Sequence, residues 1–82
     1  MAELPLQSRA TEYATTDLGL AAFLVVRGYP LTGLAGVAGA RRIFLFPPEA
    51  AVEAAPFYRR ATVPARDYFT AVRDLKALVL QP

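Results

Sequence analysis

The chain contains no cysteine, no histidine and no tryptophan, and a single serine, Ser8. No disulfide can brace it. Cys/His zinc sites, haem ligation through imidazole, and Ser–His or Cys–His nucleophilic chemistry are excluded along with those residues. Lysine is almost missing too, occurring only at Lys76, against eight arginines. Charge is sparse, at 20% of 82 residues with a net of +2, and 55% of the residues are hydrophobic. The mean hydropathy is +0.31. A chain this apolar and this weakly charged is outside the disordered class. Long apolar runs are also missing. Within Leu18–Ala40, Arg27, Pro30 and five glycines interrupt the pattern, and the unbroken stretch Leu18–Val26 is far short of the ~20 residues a membrane-spanning helix needs. No membrane span is expected. The opening residues carry no positive run, so no secretory leader is expected and a cytoplasmic address is.

A domain of this size buries only about 60–65% of the surface its unfolded chain exposes. With neither disulfide nor metal to help, association with a second copy or a protein partner is expected. Charge is uneven along the chain. Residues 1–20 hold Glu3, Glu12 and Asp17 against Arg9, whereas the remainder holds eight cations against Glu49, Glu53, Asp67 and Asp74.

The expected organisation is an N-terminal arm over 1–12 and one α+β domain over 13–82, in the order α-β-β-α-α with a two-stranded antiparallel hairpin. Thr15-Thr16-Asp17 reads as a helix start, a hydroxyl capping and Asp17 in the first turn. Tyr13, just before it, is expected to fold back as a hydrophobic staple. The helix runs to Arg27 and stops at Gly28, a glycine just past the end. Its residues are apolar in every direction, which predicts burial all round. Tyr29–Ala35 and Arg41–Pro47 read as strands, the second ended by Pro47-Pro48. A turn centred on Ala38-Gly39 would put Leu31, Gly33, Phe44 and Phe46 on one face. It would put Thr32, Leu34, Ile43 and Leu45 on the other, either under the arm (through Leu4 and Leu6) or against a second subunit. Leu34, Ile43 and Leu45 are therefore the expected interface. Glu49–Arg60 reads as a second helix broken near Pro56, with Phe57-Tyr58 packing past the break. Pro64–Leu80 reads as a third, with Pro64 at its first position. Tyr68, Val72, Leu75 and Val79 share its apolar stripe; Arg66, Arg73 and Lys76 share another with Phe69 beside them.

Tyr13-x-Thr15-x-Asp17-Leu18, Ala21-Ala22-x-Leu24, Gly28, Arg41-Arg42-x-Phe44-x-Phe46, Phe57-Tyr58, Val63-x-Ala65-Arg66 and Leu75-Lys76 together resemble a family of small bacterial and phage-associated domains of unknown function. The resemblance spans about residues 13–80. It implies a helix–hairpin–helix–helix layout and carries over no activity and no catalytic residue.

Gly33, Gly36 and Gly39 give G-x-x-G-x-x-G, but a strand follows where a nucleotide-binding loop needs a helix, so a hairpin tip is expected. The seven carboxylates read as surface groups and early-helix charges, and no cofactor, metal site or catalytic residue is expected. The cations carry the one functional signal. Arg41, Arg42, Arg59, Arg60, Arg66, Arg73 and Lys76, with Tyr58 or Phe69 as a ring for stacking, combine charges for a phosphate backbone with a platform for bases. The expectation is a small non-enzymatic accessory domain that binds nucleic acid. Its rival is a dimeric structural or protein-interaction adaptor whose arginines scatter or pair with Glu49, Glu53, Asp67 and Asp74.

Overall fold

The elements of the chain come from a computed structural model that describes residues 12–36 and 42–80. In order they are strand β1 (Tyr13–Thr15), helix α1 (Leu18–Val26), strands β2 (Gly33–Ala35) and β3 (Ile43–Phe46), a 3-10 helix (Pro48–Glu53), and helices α2 (Ala54–Tyr58) and α3 (Ala65–Leu80). The fold is α+β. Residues 1–11, the expected tip at Ala38-Gly39, and Arg41 lie outside the described residues.

Helix α1 begins and ends on local chemistry. Asp17 is itself the N-cap, its Oδ1 accepting from the Leu20 amide at 3.2 Å, while Thr15 Oγ1 accepts from the Asp17 amide at 3.0 Å. The cap is thus the carboxylate, with the hydroxyl one step behind it. At the other end Gly28 adopts φ +99°. Its amide donates to Val25 O, and the Tyr29 amide donates to Leu24 O, each at 3.0 Å. This is a Schellman closure built on the glycine. Leu20 through Leu24 are all buried, on every side of the helix. They form one core with Phe44 and Phe46 of β3, Ala50 of the 3-10 helix, and Ala71 and Leu75 of α3. Phe57 of α2 stacks on Phe23, ring centres 5.3 Å apart. Among the described residues no helix is long and apolar enough to cross a membrane.

The sheet has three strands rather than two, in the order β1-β3-β2, both outer strands antiparallel to β3. Since β1 and β2 each oppose β3, they run parallel to one another. Around α1 they form a split β-α-β unit with β3 in the gap. Tyr13, expected as part of a staple, pairs with Phe46. The expected long first strand shrinks to Gly33–Ala35, preceded by a single bond from the Thr32 amide to Leu45 O at 2.7 Å.

The hairpin register is one residue away from expectation. Gly33 faces Leu45, Leu34 faces Phe44 and Ala35 faces Ile43. A slip of one exchanges the faces of a strand. Leu34 therefore lies on the core side and packs against the core. It leaves the expected interface, while Ile43 and Leu45 stay on the outer side with Ala14, Gly33 and Ala35. The register has a steric signature: a Cβ on Gly33 would come within 3.2 Å of Leu45 Cδ1.

The expected second helix divides in two. Pro48 opens a 3-10 helix, and the chain changes to α geometry at Ala54. Pro56 has no amide to give to Val52 O, so one continuous α-helix through this point would lose that bond. Phe57 and Tyr58 belong to α2 and do not follow it. In α3 the expected stripe holds: Ala71 and Leu75 are buried, and Tyr68, Val72 and Val79 pack against the core. Pro64 precedes the helix, its carbonyl accepting the first helical bond from the Tyr68 amide.

Candidate nucleic-acid interface

Helix α3 turns its apolar stripe to α1, so whatever lies opposite that stripe faces outward. Arg66, Phe69, Arg73 and Lys76 occupy that face at spacings of three, four and three, and all four are exposed. At 1.5 Å per residue they span about 15 Å along the helix. Phe69 is 65% exposed, unusual for a phenylalanine within a regular helix. The Arg73 guanidinium carbon lies 6.0 Å from its ring centre, at the outer limit of a cation–π contact. Arg66, Phe69 and Arg73, with Ala65 and Thr70, line an open cleft of about 480 Å³ that no carboxylate among the described residues borders. The acids of α3 lie to one side. Asp67 and Asp74 line a neighbouring cleft with Val25 and Val26, and Arg66 and Thr70 border both.

Arg42, Arg59 and Arg60 do not line this cleft. Arg59 and Arg60 are exposed in the turn after α2. Arg60 is held at φ 67°, the left-handed region. Its amide donates to Phe57 O and the Ala61 amide to Pro56 O, each at 3.1 Å, a second Schellman closure with arginine in the glycine position. Arg42 donates from Nε to Ala35 O at 3.2 Å, bracing the hairpin. Arg41 lies outside the described residues. Tyr58 has a structural commitment, since its hydroxyl donates to Asp17 Oδ2 at 2.8 Å and its ring meets Phe57 edge-on at 5.0 Å. Its hydrogen bond to Asp17 holds the Tyr58 phenol above the ordinary tyrosine range, with burial second. Of the two expected stacking rings, Phe69 is the free one.

Among the described residues the one ion pair is Arg27 Nε with Glu53 Oε1, at 3.6 Å. Glu53 also accepts from the Tyr29 hydroxyl at 3.2 Å, and Arg27 lies 4.9 Å over the Phe23 ring. Glu53 is therefore a tie between the end of α1 and the 3-10 helix, where the sequence suggested a solvated group. Among the described residues no ion pair joins Arg42, Arg59, Arg60, Arg66, Arg73 or Lys76 to an acid.

Two groupings escaped the sequence. Asp17 gathers Thr15, Leu20 and Tyr58 at the start of α1, and Tyr68 donates its hydroxyl to Gly19 O nearby at 3.1 Å. Arg42 and Lys76, from β3's start and α3's last turns, border one cleft with Thr16, Leu18, Phe44, Val79 and Leu80. No family model matches the chain, and neither does any curated protein or any solved structure.

Proposed function

We propose that the chain is a small, non-enzymatic nucleic-acid-binding domain that lays a single strand along the outer face of α3. The observation that carries this reading is the exposed Phe69 between Arg66 and Arg73, in a cleft that no carboxylate among the described residues lines. Arg66, Arg73 and Lys76 would meet successive phosphates, and the ring would take the face of one base. A spacing of about 15 Å suits two or three nucleotides of backbone. A second copy or protein partner on Ile43 and Leu45 is the rival reading, which has lost Leu34 to the core.

Three phosphates neutralised on a single strand give a slope of about −2 in log affinity against log salt. Between about 50 and 200 mM salt, that slope weakens binding roughly twenty-fold. Anisotropy of a labelled oligothymidylate measures it. Replacing Arg66 and Arg73 with alanine is expected to flatten the slope to about −0.7, and Phe69→Ala to cost about 1–3 kcal/mol with the slope kept. No binding at low salt, or binding that Arg66, Arg73 and Phe69 do not affect, refutes the assignment.

A further inference from the structure

The cleft shared by Arg42 and Lys76 has a chemistry of its own. Its walls come from three elements: Thr16 and Leu18 at the start of α1, Phe44 on β3, and Val79 and Leu80 at the end of α3. Four of these five side chains are purely apolar. The two remaining lining residues are both cations, and no acid among the described residues borders the space. The volume is about 230 Å³. At the ~30 Å³ that a water-sized group fills in a liquid, this holds about seven or eight heavy atoms, enough for a hydrocarbon tail whose charged head stays at the open mouth. A dry floor selects a hydrocarbon body. The cations select an anionic head, and Arg42 has its Nε engaged by Ala35 O, leaving the terminal guanidinium nitrogens to serve a planar, two-oxygen acceptor.

We propose that this cleft binds a small carboxylate with an unbranched apolar tail of six to eight carbons, the head between Arg42 and Lys76 and the tail against Leu18, Phe44 and Val79. The site is separate from the strand-binding face of α3 except for Lys76, which both would use. A ligand of about ten heavy atoms at a shallow site binds with a dissociation constant of about 1 mM.

The test is titration of the 82-residue chain with octanoate, followed by amide and methyl chemical shifts, with 1-octanol and acetate in parallel. The expected result is saturable shifts at Thr16, Leu18, Phe44, Val79 and Leu80, with octanol weaker and acetate weaker still. Lys76 and Leu80 are exposed, so Lys76→Glu and Leu80→Asp leave the core untouched. Each is expected to weaken octanoate about three- to ten-fold by placing a negative charge at the mouth. Arg66→Ala is expected to change nothing here while it weakens oligonucleotide binding, so the two sites fail separately. The proposal is overturned by shifts elsewhere, by equal binding of octanol and octanoate, or by no saturation at about 10 mM. Capture of anionic vesicles without binding of monomeric octanoate overturns it as well. So do contacts from residues 1–11 to Leu18 or Val79 that octanoate does not displace.

Discussion

Replacing Arg60 with glycine is expected to make the chain more stable, although it deletes a cation and adds no contact. Arg60 sits at φ 67°, closing α2 in the position that glycine usually fills. An L residue in this region crowds its Cβ against the backbone at about 1–2 kcal/mol. Glycine removes that crowding but has more freedom to lose on folding, which returns about 0.4–1 kcal/mol. The net gain is about 0.5–1 kcal/mol. The side chain is exposed and makes no ion pair among the described residues, so nothing offsets the gain. For a domain of this size each kcal/mol moves the midpoint by about 4–8 °C, so Tm rises by about 2–8 °C. Thermal unfolding followed by far-UV circular dichroism reads it, and a urea titration with a shifted midpoint and unchanged slope confirms that stability changed without a change in the surface exposed on unfolding. An unchanged or lower Tm refutes the reasoning and assigns the Arg60 side chain a stabilising contact.

Gly28→Ala is expected to do the reverse at the first Schellman closure. Space is free around it, with no atom of the described residues beyond its chain neighbours within 4 Å of an added Cβ, so the loss of about 1 kcal/mol is a backbone effect, read in the same melt. Asp17→Ala removes both the cap to Leu20 and the acceptor of Tyr58, and is expected to cost about 1–2 kcal/mol in urea unfolding. Tyr58→Phe keeps the cap and is expected to cost less. The Tyr68 phenol is raised above 10.0, first by burial and then by Asp17. Below that pH both states keep the proton and stability is whole. As pH rises past it the unfolded chain releases the proton first, so stability falls through the folded pKa. The urea midpoint is expected to drop as pH rises past the ordinary tyrosine value of about 10, and Tyr68→Phe to reduce the drop.

What was legible in the sequence is what is decided locally. Gly28 ends α1 because only a few neighbouring carbonyls and amides are involved, and α3 follows from a 3.6-residue period that puts Tyr68, Val72, Leu75 and Val79 together. The same period foretold Arg66, Phe69, Arg73 and Lys76 as one exposed face. Strand β1 was not legible, because Tyr-Ala-Thr has no alternation and becomes a strand only when β3 lies beside it. The register of β2 on β3 depends on how Gly33 accommodates Leu45, a contact across the hairpin that neither run of residues announces alone. The slip of one then moved Leu34 from the outer face to the core. Arg42 and Lys76 meet only after β3 and α3 have docked, so no spacing in the chain could have paired them. Tyr58 looked free because Asp17, its acceptor, lies 41 residues away.

The gap in the split β-α-β unit has a consequence for the chain while it is being made. Synthesis delivers β1, α1 and β2 first, in an order that leaves the two strands with no neighbour between them. The all-apolar α1 then has neither Phe44 and Phe46 on one side nor Ala71 and Leu75 on the other. At about 5–20 residues per second, the interval between Val26 and Leu75 lasts roughly 2–10 s. For those seconds the most apolar helix of the protein is an incompletely covered segment on a nascent chain: the first helix of the described residues to be made is closed over only when the last one arrives. Premature termination anywhere before α3 therefore yields a product with α1 open, suited to a holding chaperone or to a protease.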